Sequence, residues 1–301
     1  MKFKHLIIAF SVLIIIIVLI TALLPLLFSG HGNAVTFRYI SLPLLLFMGV
    51  LLVCMSIFFL FNYRLFSLLE REDWPALAYY LEQKIYVKHR YSNRNVKLLA
   101  SSYLVISDFP SVLKLESKTV LVKPSVISKN ILIFGAARVL SGGYREAAAF
   151  FNSHLGKCNK KDKQWVLWFY GFSQLLSSDF KQAESEFSSL AVSSNNVLIT
   201  GLSAYFLQTS IEKHSLNPQK CHEMSENGRE RVKNAIKTLD NWKNEAEKVG
   251  AEIHIAIIKK YIDEAGKWLF AEKPVEPPLY VDLSATNDSD DNNNDSEKEN
   301  Q

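Results

Sequence analysis

Ser111 and Lys114 stand in a Ser-x-x-Lys spacing. On a helix that spacing lets a lysine amine take the proton of a serine nucleophile one turn away. No second motif accompanies the pair: the chain has no His-Glu-x-x-His, no phosphate-cradling glycine loop and no paired cysteine motif. The seven histidines are scattered, and the nearest separated pair, His214 and His222, straddles the turn signal Asn217-Pro218. Cys54, Cys158 and Cys221 are odd in number and far apart, which argues against both a disulfide framework and a zinc site. An active site needs an acid, base, nucleophile or metal ligands that converge. Nothing here does, so the reading is of a protein that is not an enzyme, with no catalytic, cofactor-binding or metal-ligating residues and no cofactor.

The elements that would position any site fall into distinct stretches. Residues 1–62 are almost wholly apolar. Within them Leu6–Phe28 and Tyr39–Phe61 each run 23 residues without a charge. At about 1.5 Å per residue either makes a helix of roughly 35 Å, enough for a hydrocarbon core of about 30 Å. The linker Ser29–Arg38 is short enough to force an antiparallel hairpin. A cleaved signal peptide fits less well, because an apolar core of that kind usually spans about 7–15 residues. Lys2 and Lys4 precede the first span and Arg64 and Arg71 follow the second, which places both termini in the cytoplasm and the chain in an inner or plasma membrane.

Charge is as uneven as hydropathy. The chain is formally +4, but Asn287–Gln301 carries six carboxylates against one lysine, leaving residues 1–286 with 33 basic against 24 acidic side chains. A basic body beside a bilayer suits an anionic leaflet. Nucleic acid is not expected as a partner, since no aromatic-basic platform accompanies the charge. Residues 273–301, with Pro274, Pro277, Pro278 and the Asp/Asn/Ser run, read as a disordered acidic tail.

Between these ends the chain repeats itself. Glu72-Asp73-Trp74, Ser107-Asp108-Phe109, Gly142-Gly143-Tyr144 and Ser178-Asp179-Phe180 each set two small or polar residues before an aromatic, and the aromatics are 35, 35 and 36 residues apart. Upstream at helical spacing lie Leu99, Ala100 and Tyr103, then Phe134 and Gly135, then Tyr170 and Gly171. Downstream lie Leu77 and Leu81, then Val112, then Ala147 and Phe151, then Ala183 and Phe187. Each unit reads as helix, tight turn, helix. The small residue marks the close approach of the pair, and Tyr144 and Phe180 are expected to be buried between hairpins. A fifth unit begins at Val197–Thr209 with Gly201 and Ala204. Residues 211–272 read as a helical extension or cap: one amphipathic helix with Val232, Ile236, Leu239, Ala246 and Val249 on a stripe broken at Gly250, then a helix Glu252–Phe270 burying Ile255, Ile258, Ile262, Ala265 and Leu269.

This pattern over residues 63–210 resembles the tetratricopeptide (TPR) repeat, a helical hairpin unit of about 34 residues. The third and fourth units match it best, while Leu77 and Val112 depart from its small position and the proline at its end is missing. The fold expected is all-α: two transmembrane helices followed by a TPR-like array with a C-terminal helical cap. In that family the first helix of each unit lines a groove. The resemblance therefore implies partner-binding positions at Arg94, Lys97 and Ser101, at Lys129, Leu132 and Ala136, and at Trp165, Trp168 and Phe172: a basic lip leading to an aromatic floor. Two arrangements are open for that floor. It is free for an amphipathic or apolar segment of another protein, or Glu252–Phe270 folds back and fills it. The expected function is a membrane-anchored scaffold that binds a protein at the cytoplasmic face. The alternative is a subunit of an integral membrane complex in which the hairpin is the main contact and the repeats are a docking platform.

Overall fold

The computed structural model describes residues 34–271 together with Val12, Ile15, Ile16 and Leu19. Apart from those four helical residues, the expected first span Leu6–Phe28 lies outside the described residues, as does the tail from residue 272. All regular structure among the described residues is helical, and the chain divides into two compact units, Met1–Gln83 and Lys84–Gln301.

In the first unit, helix α1 (Ala34–Glu70) is continuous over 37 residues. It begins inside the stretch read as the Ser29–Arg38 loop and runs well past Phe61. The charge at Arg64 ends an apolar span but not a helix, because Leu65, Phe66 and Leu69 keep the apolar spacing going. Its segment Gly49–Glu70, with 22 residues and a mean hydropathy of 1.8, is long and apolar enough to cross a membrane, and Leu60 and Phe61 stand exposed on it at 77% and 80%. Two spans were expected; among the described residues one helix meets that description. Helix α2 (Trp74–Glu82) packs back on α1, and the Arg64 guanidinium lies 5.4 Å from the Tyr80 ring centre.

In the second unit, α3 (Asn93–Val105) and α4 (Phe109–Val122) form one hairpin. The next comprises a short α5 (Pro124–Ser128), α6 (Ile131–Leu140) and α7 (Tyr144–His154), and a third is α8 (Lys163–Leu176) with α9 (Phe180–Ser193). Four turns, one in the first unit and three in the second, share one backbone design. Glu72, Ser107, Gly142 and Ser178 all take positive φ, at 54°, 57°, 80° and 64°. The following amide donates to the carbonyl five residues back: Asp73 to Leu68 (3.2 Å), Asp108 to Tyr103 (2.8 Å), Gly143 to Arg138 (2.9 Å) and Asp179 to Gln174 (2.8 Å). This is the Schellman ending, which satisfies the last carbonyls of the first helix. Asp73, Asp108 and Asp179 then accept from the amides of Ala76, Ser111 and Gln182, capping the second helix; Gly143 has no side chain to do so.

The residues expected to face inward do so. Leu77, Leu81, Leu99, Ala100, Val112, Phe134, Ala147, Phe151, Ala183 and Phe187 are fully buried, with Tyr103 and Tyr170 close behind. Gly135 is where the backbones meet, since a methyl there would come within 2.0 Å of Phe151 Cζ, and Gly171 faces Phe187 more loosely, with Cε1 3.2 Å from such a methyl. The rings repeat with the turns: Phe151 stacks on Phe169 at 5.8 Å, and Phe187 on Phe206 at 5.8 Å. The turn aromatics differ from expectation. Trp74, Phe109, Tyr144 and Phe180 are all half-buried rather than sealed between hairpins. They sit at the first helical position, on the rim of the layer, and Phe180 lies against the His214 ring at 3.9 Å. Missed altogether was a bidentate ion pair between successive hairpins, Arg138 to Glu116 at 2.6 and 3.0 Å, with the guanidinium also over the Phe150 ring.

After α10 (Val197–Phe206) come α11 (Pro218–Ile236), α12 (Leu239–Val249), α13 (Ile253–Ile257) and α14 (Lys259–Phe270). The expected single amphipathic helix is broken at Lys237, whose φ is +60°, and Thr238 caps α12. That break lets α12 swing Trp242 into a notch left by two glycines, where methyls on Gly201 or Gly266 would fall within 2.6 Å of its ring. The indole N–H donates to Ile262 O at 2.9 Å. The last helix is likewise two pieces joined at Ile258, but Ile255, Ile258, Ile262, Ala265 and Leu269 are all buried as expected. Arg229 and Arg231 of α11 donate to the terminal carbonyls of α14 and α9, pinning the C-terminal helices to the hairpins.

Candidate functional site

The C-terminal helices run back along the first helices of the hairpins, with α14 on α10 and α13 on α6. This covers the aromatic floor. Trp168 and Phe172 are fully buried, parallel-stacked at 5.1 Å, and Tyr261 of α14 meets Phe172 edge-on at 5.6 Å. Of the two arrangements left open by the sequence, the structure has the filled one. Ala136 is sealed with them.

Where α13 ends its reach, a pocket of about 250 Å³ remains. Its walls come from α3, the α5–α6 junction, the start of α8 and the α12–α13 turn. Four of the expected groove residues, Lys97, Lys129, Leu132 and Trp165, line it. Arg94 is exposed outside it, beside Lys84, and Ser101 is half-buried and also outside its lining. Cys158, Lys161, Asp162 and Glu252, from loops and helix caps, and His254 of α13 join the lining at places that no repeat position pointed to.

The electrostatics follow from burial. Lys97 Nζ donates to Glu252 Oε2 at 2.9 Å, which holds the Glu252 carboxyl below the usual carboxylate range. His254 is set edge-on to Trp165 and Phe169 at 5.8 and 6.0 Å, and burial pushes it down to about 4, so its imidazole is neutral at neutral pH. Burial raises the Cys158 thiol, whose Sγ donates to Leu155 O, so it is not a thiolate nucleophile. Asn130 donates to Asn93 Oδ1 at 2.7 Å and Val126 O at 2.8 Å, while its own buried Oδ1 accepts nothing. Lys97, Lys129 and Lys161 thus face Glu252 and Asp162 across an indole and leucine floor. A roomier, polar groove of about 570 Å³ lies between α7 and the α8–α9 turn. Its charges do not converge, for Asp179 is already occupied in capping Gln182.

A layer of helical hairpins with a repeated turn, covered by its own C-terminal helices, makes this an all-α, repeat-like protein. The chain belongs to the family described as "Uncharacterised Treponema protein", whose model matches residues 111–271. That range begins within α4, ends one residue past α14, and includes every pocket-lining residue except Lys97. The chain is also similar to an "Uncharacterized protein" of Treponema pallidum (strain Nichols), 26% identical over 278 residues, 90% of this chain and 88% of the other. No solved structure matches it.

Proposed function

We propose that this protein is a membrane-anchored, TPR-like scaffold. Two N-terminal spans hold its repeat body at the cytoplasmic face, and a segment of a partner protein docks at the basic pocket between the hairpins and the C-terminal helices. The observation that carries the reading is the lining of that pocket. Lysines from α3, the α5–α6 junction and the α7–α8 loop surround Leu132 and the edge of Trp165. A site of that volume takes one large apolar side chain, and Lys129 and Lys161 suit a carboxylate beside it, which describes an amphipathic segment. Anchoring is supported by the apolar, exposed surface of α1 and by the basic residues Arg64 and Arg71 that follow its apolar run. Filling of the aromatic floor moves the docking surface from Trp168 and Phe172 to the pocket rim.

The test is a photo-crosslinking residue at Lys161 in the full chain, in membranes. A discrete adduct that weakens with Lys129→Glu supports the pocket. An equal yield of the same adduct from a probe at exposed Glu223 on α11 overturns it. The bare surface of α1 also favours the second reading, a complex subunit held through its spans. Exchange of residues 1–62 for unrelated spans separates the two, since the Lys161 adduct persists on the first reading and disappears on the second.

A further inference from the structure

The repeat body carries a surface for which the scaffold reading has no use. From Gln83 to Ser107 there is no carboxylate, while Lys84, Lys88, Arg90, Arg94 and Lys97 fall within that stretch. Lys97 is engaged by Glu252, so the part of the stretch that bears on this surface is Lys84–Arg94. The Lys84 amine is pulled below its usual range by burial and then by Arg94, Arg90 and Lys88, and the Arg90 amide donates to Lys84 O at 3.1 Å. Lys118 of α4 lies over the Tyr86 ring at 4.4 Å, which ties the C-terminal half of α4 to the same place. Leu121 and Val122 follow Lys118 by three and four residues and so share its face. They are 86% and 57% exposed, and Val87, one residue from Lys88, is 64% exposed.

We infer that this face, formed by the Lys84–Arg94 stretch and the end of α4, docks flat on an anionic lipid bilayer. A lipid interface rewards both halves of the patch together: phosphates and acidic headgroups take the lysines and arginines, and the acyl boundary takes the aliphatic tips. Nucleic acid would want open aromatic faces, and Tyr86 is covered by Lys118. The inference rests on the membrane anchor proposed above, which keeps the bilayer within reach, and it gives the anchored body a fixed orientation rather than a free tether.

The experiment places an environment-sensitive fluorescent amino acid at Leu121 of the full chain, reconstituted in phosphatidylcholine vesicles with or without phosphatidylglycerol. Docking shifts its emission to the blue in the anionic vesicles alone and exposes it to quenchers carried on the lipid chains. Each cation neutralised, as in Lys88→Gln or Arg90→Gln, lowers the docked-to-undocked ratio about five-fold, and high salt abolishes docking. The same probe at Glu223 on α11 stays unchanged. Equal emission and no quenching in both vesicles overturns the inference. So does a blue shift that needs no anionic lipid and vanishes when Asn287–Gln301 is deleted, because the acidic tail is then the occupant. Extraction of the chain from the vesicles at alkaline pH refutes the anchor itself, and vesicle flotation of the extracted protein then reads the patch separately.

Discussion

Replacing Trp168 by alanine distinguishes a core position from a recognition position. Trp168 is fully buried among Phe169, Phe172, Phe187 and Phe206, with ring centres 5.1 to 6.0 Å away. A buried indole of about 200 Å² at about 25 cal/mol per Å² contributes about 5 kcal/mol. Its Nε1 is buried without an acceptor, and losing that orphan donor returns about 1–2 kcal/mol. The net cost of Trp168→Ala is therefore about 3–4 kcal/mol, near the usual range for large-to-small core changes and a large part of a typical domain's stability. Trp168→Phe keeps a ring against Phe172 and removes the orphan N–H, so it costs about 1–2 kcal/mol. Denaturant unfolding of the full chain in detergent, followed by far-UV circular dichroism, reads both values. An unchanged midpoint for Trp168→Ala, with partner capture lost, would mean that the floor is open and that α13 and α14 do not cover it in solution.

Protonation gives a second handle. His254 falls from an ordinary value of 6.5 to about 4 in the folded chain, so the unfolded chain takes up a proton that the folded one refuses. Stability is then full above pH 6.5 and drains away as pH falls towards about 4, by about 3 kcal/mol in all. His254→Phe removes that slope in a pH series of melts, and an identical slope in the variant refutes the assignment. At the turns, Ser178→Gly relieves a positive φ of 64° and raises stability by up to about 1 kcal/mol. The neighbouring Phe180→Ala costs only about 1–2 kcal/mol because its ring is half-buried, and a loss beyond about 3 kcal/mol on the same melts would put that ring in the core after all.

The repeat was legible in the sequence because everything that defines it is local. The positive-φ residue, the capping aspartate and the inward positions at helical spacing all lie within a few turns of one another along the chain, so Ser107-Asp108-Phe109 and Ser178-Asp179-Phe180 announce the same hairpin wherever they occur. Close approach at Gly135 and Gly171 follows from the same register. The buried face of residues 255–269 was readable for the same reason, as was the apolar run within α1. Periodicity could not say which surface each face would cover. Trp242 finds its notch only because Gly201 and Gly266, from helices on either side of it in sequence, are brought together, and Glu116 meets Arg138 only across a hairpin boundary. The pocket is the extreme case: Lys97 and Glu252 are 155 residues apart, and no local pattern marks Glu252, His254 or Lys161 as neighbours of a repeat groove. An amphipathic stripe encodes that a surface will be buried, because burial depends on the period of one helix. What buries it depends on where the chain returns, and that is decided by how the hairpins stack and by the breaks at Lys237 and Ile258, with His254 and Tyr261 coming back over Trp165 and Phe172.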